Sequence, residues 1–201
     1  MSALPKRKKL TIAEYLAIEH AAEFKSEFFD GELFAMAGAS RKHNIVKDNL
    51  IGELGVRLRG TPCRTVSSDQ RLAVGASGAY TYPDVLIICG PMISDVHDVE
   101  TIVNPTVIVE VLSQSTANYD RGGKFRHYQK LDSLKEYVLV AQNEPVLERF
   151  VRQTDESWAL VSFVGLDAVL TLISVPVQIP LADIYAGVVF DEPIATEGDR
   201  R

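Results

Sequence analysis

The stretch "TVIVEVL", residues 106–112, restricts the fold of this chain more than any other segment. Every position except Glu110 is β-branched or apolar. An unbroken run of this kind, without a polar face, describes a strand covered on both sides. "YDRGGKFRHYQKLDS" follows and reads as a helix, with Phe125, Tyr128 and Leu131 as its apolar stripe. "EYVLV" then supplies a second apolar strand. A strand, helix and strand in this order predict a parallel pair joined by a right-handed crossover. The fold class is therefore α/β (α+β): a central mixed β-sheet flanked by helices.

The remaining segments add to that centre. Thr11, with Glu14 three residues on, forms a capping box for a helix over "IAEYLAI". "EFFDGEL" predicts a tight hairpin about Asp30-Gly31. Ser40 caps a helix over "RKHNIVKDNLIGELGVRL", in which Ile45, Leu50, Ile51, Leu54 and Leu58 supply the apolar side. "CRTVSSDQRLAV" is read as one or two strands broken near Ser67-Ser68, and "YTYPDVLIICG" as one more. Beyond "EYVLV", a hairpin turns near Thr154-Asp155 and short strands follow. With 201 residues, 46% of them apolar, the expectation is one domain over residues 1–190 and a disordered polar tail over 191–201. The N-terminal helix and hairpin and the C-terminal strands are additions to the central sheet.

No apolar run approaches the length that spans a bilayer. "MSALPKRKKL" is basic, but acid-rich "TIAEYLAIEHAAEF" follows it in place of an export-signal core, so the expected location is cytoplasmic with no membrane partner. Cys63 and Cys89 belong to no C-x-x-C pair and have no histidine cluster beside them. They are expected to be two buried free thiols rather than a disulfide or a zinc site. A formal net charge of −6 argues against a surface coated in positive charge, while leaving room for a local basic cleft.

The acids are the unusual residues. Glu110 sits inside the most apolar strand, where an uncompensated carboxylate costs several kcal/mol. Asp84 opens another wholly apolar run, and Asp69 stands at a comparable strand edge. Acids on neighbouring strands repel unless a cation lies between them. Mg²⁺ (or Mn²⁺) meets that need with one or two protein carboxylates plus water, and it also polarises phosphoryl oxygens and activates water. Two plainer readings stay open. Asp84, after Pro83, also fits a turn residue bonding nearby amides, and Glu110 also fits an ion pair with a basic residue of the next helix. On that helix Asp120, Lys124 and Tyr128 recur every fourth residue on one face. Asp120 and Lys124 form an ordinary helix pair, or Lys124 reaches the acids to hold water or neutralise a phosphate. Gly122-Gly123 would let a phosphate backbone approach closely.

"PDVLII" followed by "VIVEVLSQST", together with "EFFDGEL", "HN", "D-x-x-x-K-x-x-x-Y" and "EYVLV", resembles the bacterial Uma-type family of restriction-endonuclease-like proteins within the PD-(D/E)xK nuclease superfamily. The likeness runs from about residue 11 to about residue 185. It implies a metal-dependent endonuclease that hydrolyses DNA, with Asp84 and Glu110 as metal-binding acids. The family pattern has lysine two residues after the second acid. Here that residue is Leu112, so the resemblance leaves Lys124 as the candidate for the basic role. It adds Glu27 as a further acid, a residue that equally fits an exposed hairpin charge. His43, near a helix start, fits a phosphate or proton contact and equally a capping or packing role. Ser113 and Gln114, at the strand end, would orient the acid or the phosphate. A duplex needs two cuts, which makes a homodimer plausible. The alternatives are a catalytically degenerate nuclease fold that binds nucleic acid or protein, and a metal-dependent hydrolase of a smaller phosphorylated substrate.

Overall fold

The computed structural model describes residues 9–75, 78–113 and 117–190. The tail expected over 191–201 lies outside them. Helix α1 (Ile12–Ala21) starts at the Thr11/Glu14 capping box, with both reciprocal bonds present. Strands β1 (Ser26–Phe29) and β2 (Glu32–Ala35) pair antiparallel around Asp30-Gly31. Both turn residues have positive φ, 49° and 87°, as a two-residue type I′ turn requires. A Cβ on Gly31 would lie 2.6 Å from the Lys9 side chain, so the chain that enters α1 passes close over this turn. Helix α2 (Arg41–Arg57) is capped by Ser40, whose hydroxyl accepts from the His43 amide. Its buried stripe is His43, Val46, Leu50 and Leu54. The stripe runs one helical column away from Ile45 and Ile51, which are only half-buried.

The central sheet has six strands in the order β10-β9-β8-β7-β6-β3. They are β3 (Cys63–Ser67), β6 (Val85–Cys89), β7 (Val107–Leu112), β8 (Glu136–Ala141), β9 (Val146–Arg152) and β10 (Trp158–Val164). Within this sheet β7 and β8 are the described strands that pair in parallel, register Val107↔Glu136 through Leu112↔Ala141, as the strand-helix-strand pattern requires. Alternate side chains of β7 leave opposite faces. Val107, Val109 and Val111 join a core with α2, and Ile108 and Leu112 join a second core with Phe125, Tyr128 and Tyr137. Both faces are covered, so the strand is apolar at every position but Glu110, and all six residues are buried.

"YTYPDVLIICG" forms two strands rather than one. β5 (Ala79–Thr81) lies in a four-stranded sheet ordered β2-β1-β5-β4, with β4 (Leu72–Val74) at its edge, while β6 belongs to the central sheet. Pro83 has no amide hydrogen to give a ladder, and the chain changes sheets at Tyr82-Pro83-Asp84. β11 (Val169–Thr171), β12 (Gln178–Pro180) and the short helix α5 (Leu181–Ile184) close the α2 side of the core. Among the described residues no helix is long and apolar enough to cross a membrane.

The cysteines depart from expectation. Cys63 and Cys89 are register partners on β3 and β6 and form a disulfide. Twenty-six residues separate them in sequence, so nothing local announces the pairing. Closing a loop of that length contributes about 3 kcal/mol by restricting the unfolded chain. Cys63→Ala/Cys89→Ala is expected to lose roughly that much in urea unfolding, and the parent to show no free thiol when denatured without reductant. A full complement of titratable thiols would remove the bond from the fold.

Candidate active site

Glu110 leaves β7 on the face that carries Ile108 and Leu112, the face covered by the crossover. The crossover is helical but irregular: α3 (Ala117–Tyr119), a π-helical turn (Asp120–Lys124) and α4 (Phe125–Tyr128) follow one another without a break. The widened turn falls on Gly122-Gly123, where helix preference is weakest. A Cβ on Gly123 would stand 2.6 Å from the Tyr119 ring, so glycine there lets that ring lie against the backbone. Single π-turns of this kind recur at functional sites.

The turn delivers Lys124 into a nest of acids. Its ammonium lies 2.9 Å from Glu110 Oε1, 2.9 Å from Glu27 Oε1 and 3.9 Å from Asp120 Oδ1. All four side chains are buried. The hydroxyl of Tyr128, one turn further on, donates to Glu110 Oε1 at 2.9 Å and sits 3.1 Å from the Thr81 hydroxyl. The other oxygen of Glu110 accepts from the Asp84 amide at 3.3 Å. Asp84 Oδ2 accepts from the Val111 amide at 2.8 Å and meets His43 Nε2 at 3.1 Å. Glu27 Oε1 also accepts from the Tyr82 amide at 3.2 Å, which ties β1 to the sheet-changing segment.

Of the residues expected from sequence, Asp84, Glu110, Lys124, Glu27, His43, Asp120 and Tyr128 thus converge in one bonded network. Ser113 follows β7 at its C-terminal end, and Gln114 lies outside the described residues. Asp69 does not join. Its carboxylate is 85% exposed and pairs with Lys25, whose ammonium holds it below the usual aspartate range. The turn after β3 faces solvent there, which removes any need for a metal at that acid.

Several neighbours had no signal in the sequence. Ser40 Oγ donates to Gln142 Oε1 at 2.5 Å, which brings the start of α2 to the C-terminal end of β8. A buried polar group stands behind Glu27. Arg71 ion-pairs with Asp98 and bonds the Thr101 and Tyr82 hydroxyls, and Tyr82 donates to Glu19. Glu19 in turn accepts the Ser26 amide at the head of β1. These residues are far apart in sequence, and only the sheet arrangement joins them.

The electrostatics follow from one cation among several acids. Burial raises the pKa of Glu110 to about 8, with Asp84, Asp120 and Glu27 adding to the rise and Lys124 opposing it. The same acids hold Lys124 well above its ordinary value despite its burial. Tyr128 is likewise pushed well up by burial and by Glu110, so its hydroxyl stays a donor. His43 donates through Nε2 to a carboxylate, and its buried Nδ1 has no hydrogen-bond partner among the described residues.

Among the described residues no cluster of three or more His, Cys, Asp or Glu is arranged to hold a metal ion. The donors that a hard divalent ion would use are the two carboxylates Asp84 and Glu110, linked through the Asp84 amide. The oxygens of Asp84 are used unevenly, with both bonds falling on Oδ2. Two oxygen donors completed by water suit Mg²⁺ chemistry, so the donor set fits.

A central mixed sheet with acids at the C-terminal end of its parallel pair and a lysine from the crossover defines a restriction-endonuclease-like protein. The chain belongs to the Uma2 family, described as "Putative restriction endonuclease", whose model matches residues 12–182. Two uncharacterized Synechocystis sp. proteins are similar along nearly their whole length. One, slr1290, is 34% identical over 90% of this chain and 94% of its own. The other, sll1609, is 37% identical over 84% of this chain and 95% of its own. The fold matches the crystal structure of a "putative nuclease belonging to DUF820" from Anabaena variabilis, with a TM-score of 0.72 at 16% identity, covering 90% of this chain and 99% of that one.

The Glu110 shift has a measurable sign. Its ordinary pKa is 4.5 and its folded value about 8, so between these limits the folded chain keeps a proton that the unfolded chain has released. Stability is therefore expected to fall as pH rises through that window and to level off above it. Lys124, raised from 10.5, acts only at higher pH. Urea midpoints at pH 5, 6.5 and 8 should decline in the parent and flatten in Glu110→Gln. An equal decline in both would assign the slope to another group.

Proposed function

We propose that this chain is a Mg²⁺- or Mn²⁺-dependent endonuclease that hydrolyses phosphodiester bonds of DNA. The observation that carries the reading is the convergence of Asp84, Glu110 and Lys124, from three separate segments, at the C-terminal end of β7. Family membership and the nuclease-like fold support it.

In this reading Asp84 and Glu110 hold the ion. Bound there, a divalent ion polarises a phosphoryl oxygen and lowers the pKa of water. The chain's own residues do the rest. Tyr128 and the Asp84 amide keep the Glu110 carboxylate in place from both sides. His43 and the Val111 amide fix Asp84 in the same way. Lys124 holds the attacking water or neutralises charge developing on the phosphate. Glu27 and Asp120 keep its ammonium protonated and aimed at Glu110. A lysine at position 112 would leave β7 on the same face as Glu110, so Lys124 reaches from the crossover toward the place such a side chain would occupy.

A second reading, a degenerate nuclease fold that binds nucleic acid or protein, draws support from the saturation of Lys124. Its ammonium is buried and paired with three carboxylates, and Leu112 stands where the superfamily has lysine. Metal calorimetry and plasmid nicking separate the two. The nuclease reading expects Mn²⁺ to bind the parent, to bind Asp84→Asn and Glu110→Gln much more weakly, and nicking to fall by about a hundredfold or more in both variants and in Lys124→Gln. DNA binding without metal binding or nicking would favour the binding module. Turnover of a chromogenic phosphodiester but not of plasmid would move the substrate to smaller esters.

A further inference from the structure

We infer that β10 is the pairing edge of a symmetric dimer, joining two copies of this chain into one continuous twelve-stranded sheet. This inference does not rest on the nuclease reading. The six-stranded sheet ends at β10, which pairs with β9 on one side and with no described strand on the other. A free edge presents a row of unpaired amides and carbonyls, and folded proteins protect such edges with charge, proline or short length. The other edges follow that rule. β3 has five residues and carries Arg64, β2 has four and carries Glu32, and β4 has three.

β10 is "WALVSFV", seven residues with no charge, proline or glycine. Leu160 is 51% exposed, Val161 40% and Val164 69%, and Leu166 just beyond is 44% exposed. Leu160 and Val164 lie on one face of the strand and Val161 on the other, so no single covering helix would bury them all. A strand added at the edge brings cross-strand neighbours to both faces at once.

The strand also complements itself. An antiparallel two-fold centred on Val161 sets Trp158 against Val164, Ala159 against Phe163 and Leu160 against Ser162, a larger side chain opposite a smaller one each time. No like charges meet within the seven residues. Glu156, the nearest preceding acid, is already paired with Arg152. A two-fold joint of this kind closes on itself and leaves no edge for further growth. Seven residues a side give an interface at the small end of the specific range, so dissociation on the order of micromolar is expected.

Sedimentation velocity of the full chain over a roughly hundredfold concentration range around that value tests this. The parent is expected to pass from monomer to dimer. Val161→Lys should stay monomeric over the range with an unchanged circular dichroism spectrum, a loss of at least about tenfold in association. Val161→Cys, a smaller change that keeps the strand apolar, should cross-link to itself under mild oxidation faster than the exposed control Asn143→Cys. A parent that remains monomeric, including one that instead takes up a foreign extended peptide along β10, overturns the inference. So does a Val161→Lys protein that still dimerises, or a Val161→Cys protein that cross-links no faster than the control.

Discussion

The ammonium of Lys124 is the interaction on which the centre of this molecule depends. Glu27 comes from a hairpin in one sheet, Glu110 from the middle of the other, and Asp120 from the crossover helix, and the three meet at this one cation. Without it, several buried carboxylates would face one another in a low-dielectric interior, at a cost of several kcal/mol. With it, the two sheets and the crossover are tied at a single point. Tyr128 and Thr81 extend the same tie to β5. The apolar cores hold the layers together, and this polar centre fixes how the layers sit around the acids.

The pairing also sets the chemical character of the site. One lysine cannot balance all the acids around it, so the protein holds a proton on Glu110 to higher pH than an exposed glutamate would. A site of that kind is short of positive charge. Asp84 is the member of the group nearest the surface, and its carboxylate is steadied by His43 and by the Val111 amide.

Much of this was legible in the sequence because it depends on short periods. The unbroken apolar run of β7 and the helix after it implied a parallel pair, and strand alternation made Glu110 an internal charge in need of a partner. The four-residue spacing of Asp120, Lys124 and Tyr128 put all three toward that partner. What escaped depends on pairings between distant segments. Cys63 and Cys89 meet only because β3 and β6 share a register. The division of "YTYPDVLIICG" between two sheets follows from the course of the chain at Pro83 and not from its hydropathy. Asp69 looked like Asp84, since both acids border a strand, but only one of the two strand ends is enclosed. Gln142, Arg71 and Asp98 carried no local mark of their positions.

The widened turn at Asp120–Lys124 divides the crossover into two short helices that are out of phase with each other. One residue more or less in a helix rotates everything beyond it by about 100°. Restoring a regular α-helical turn there would swing Phe125 and Tyr128 around the axis relative to α3. Tyr128 would then leave Glu110, and the apolar stripe would leave the sheet. The paired glycines thus act as a phase adjuster. They let Lys124, Phe125 and Tyr128 keep their common angle toward the acids and the core whatever angle α3 takes before the turn.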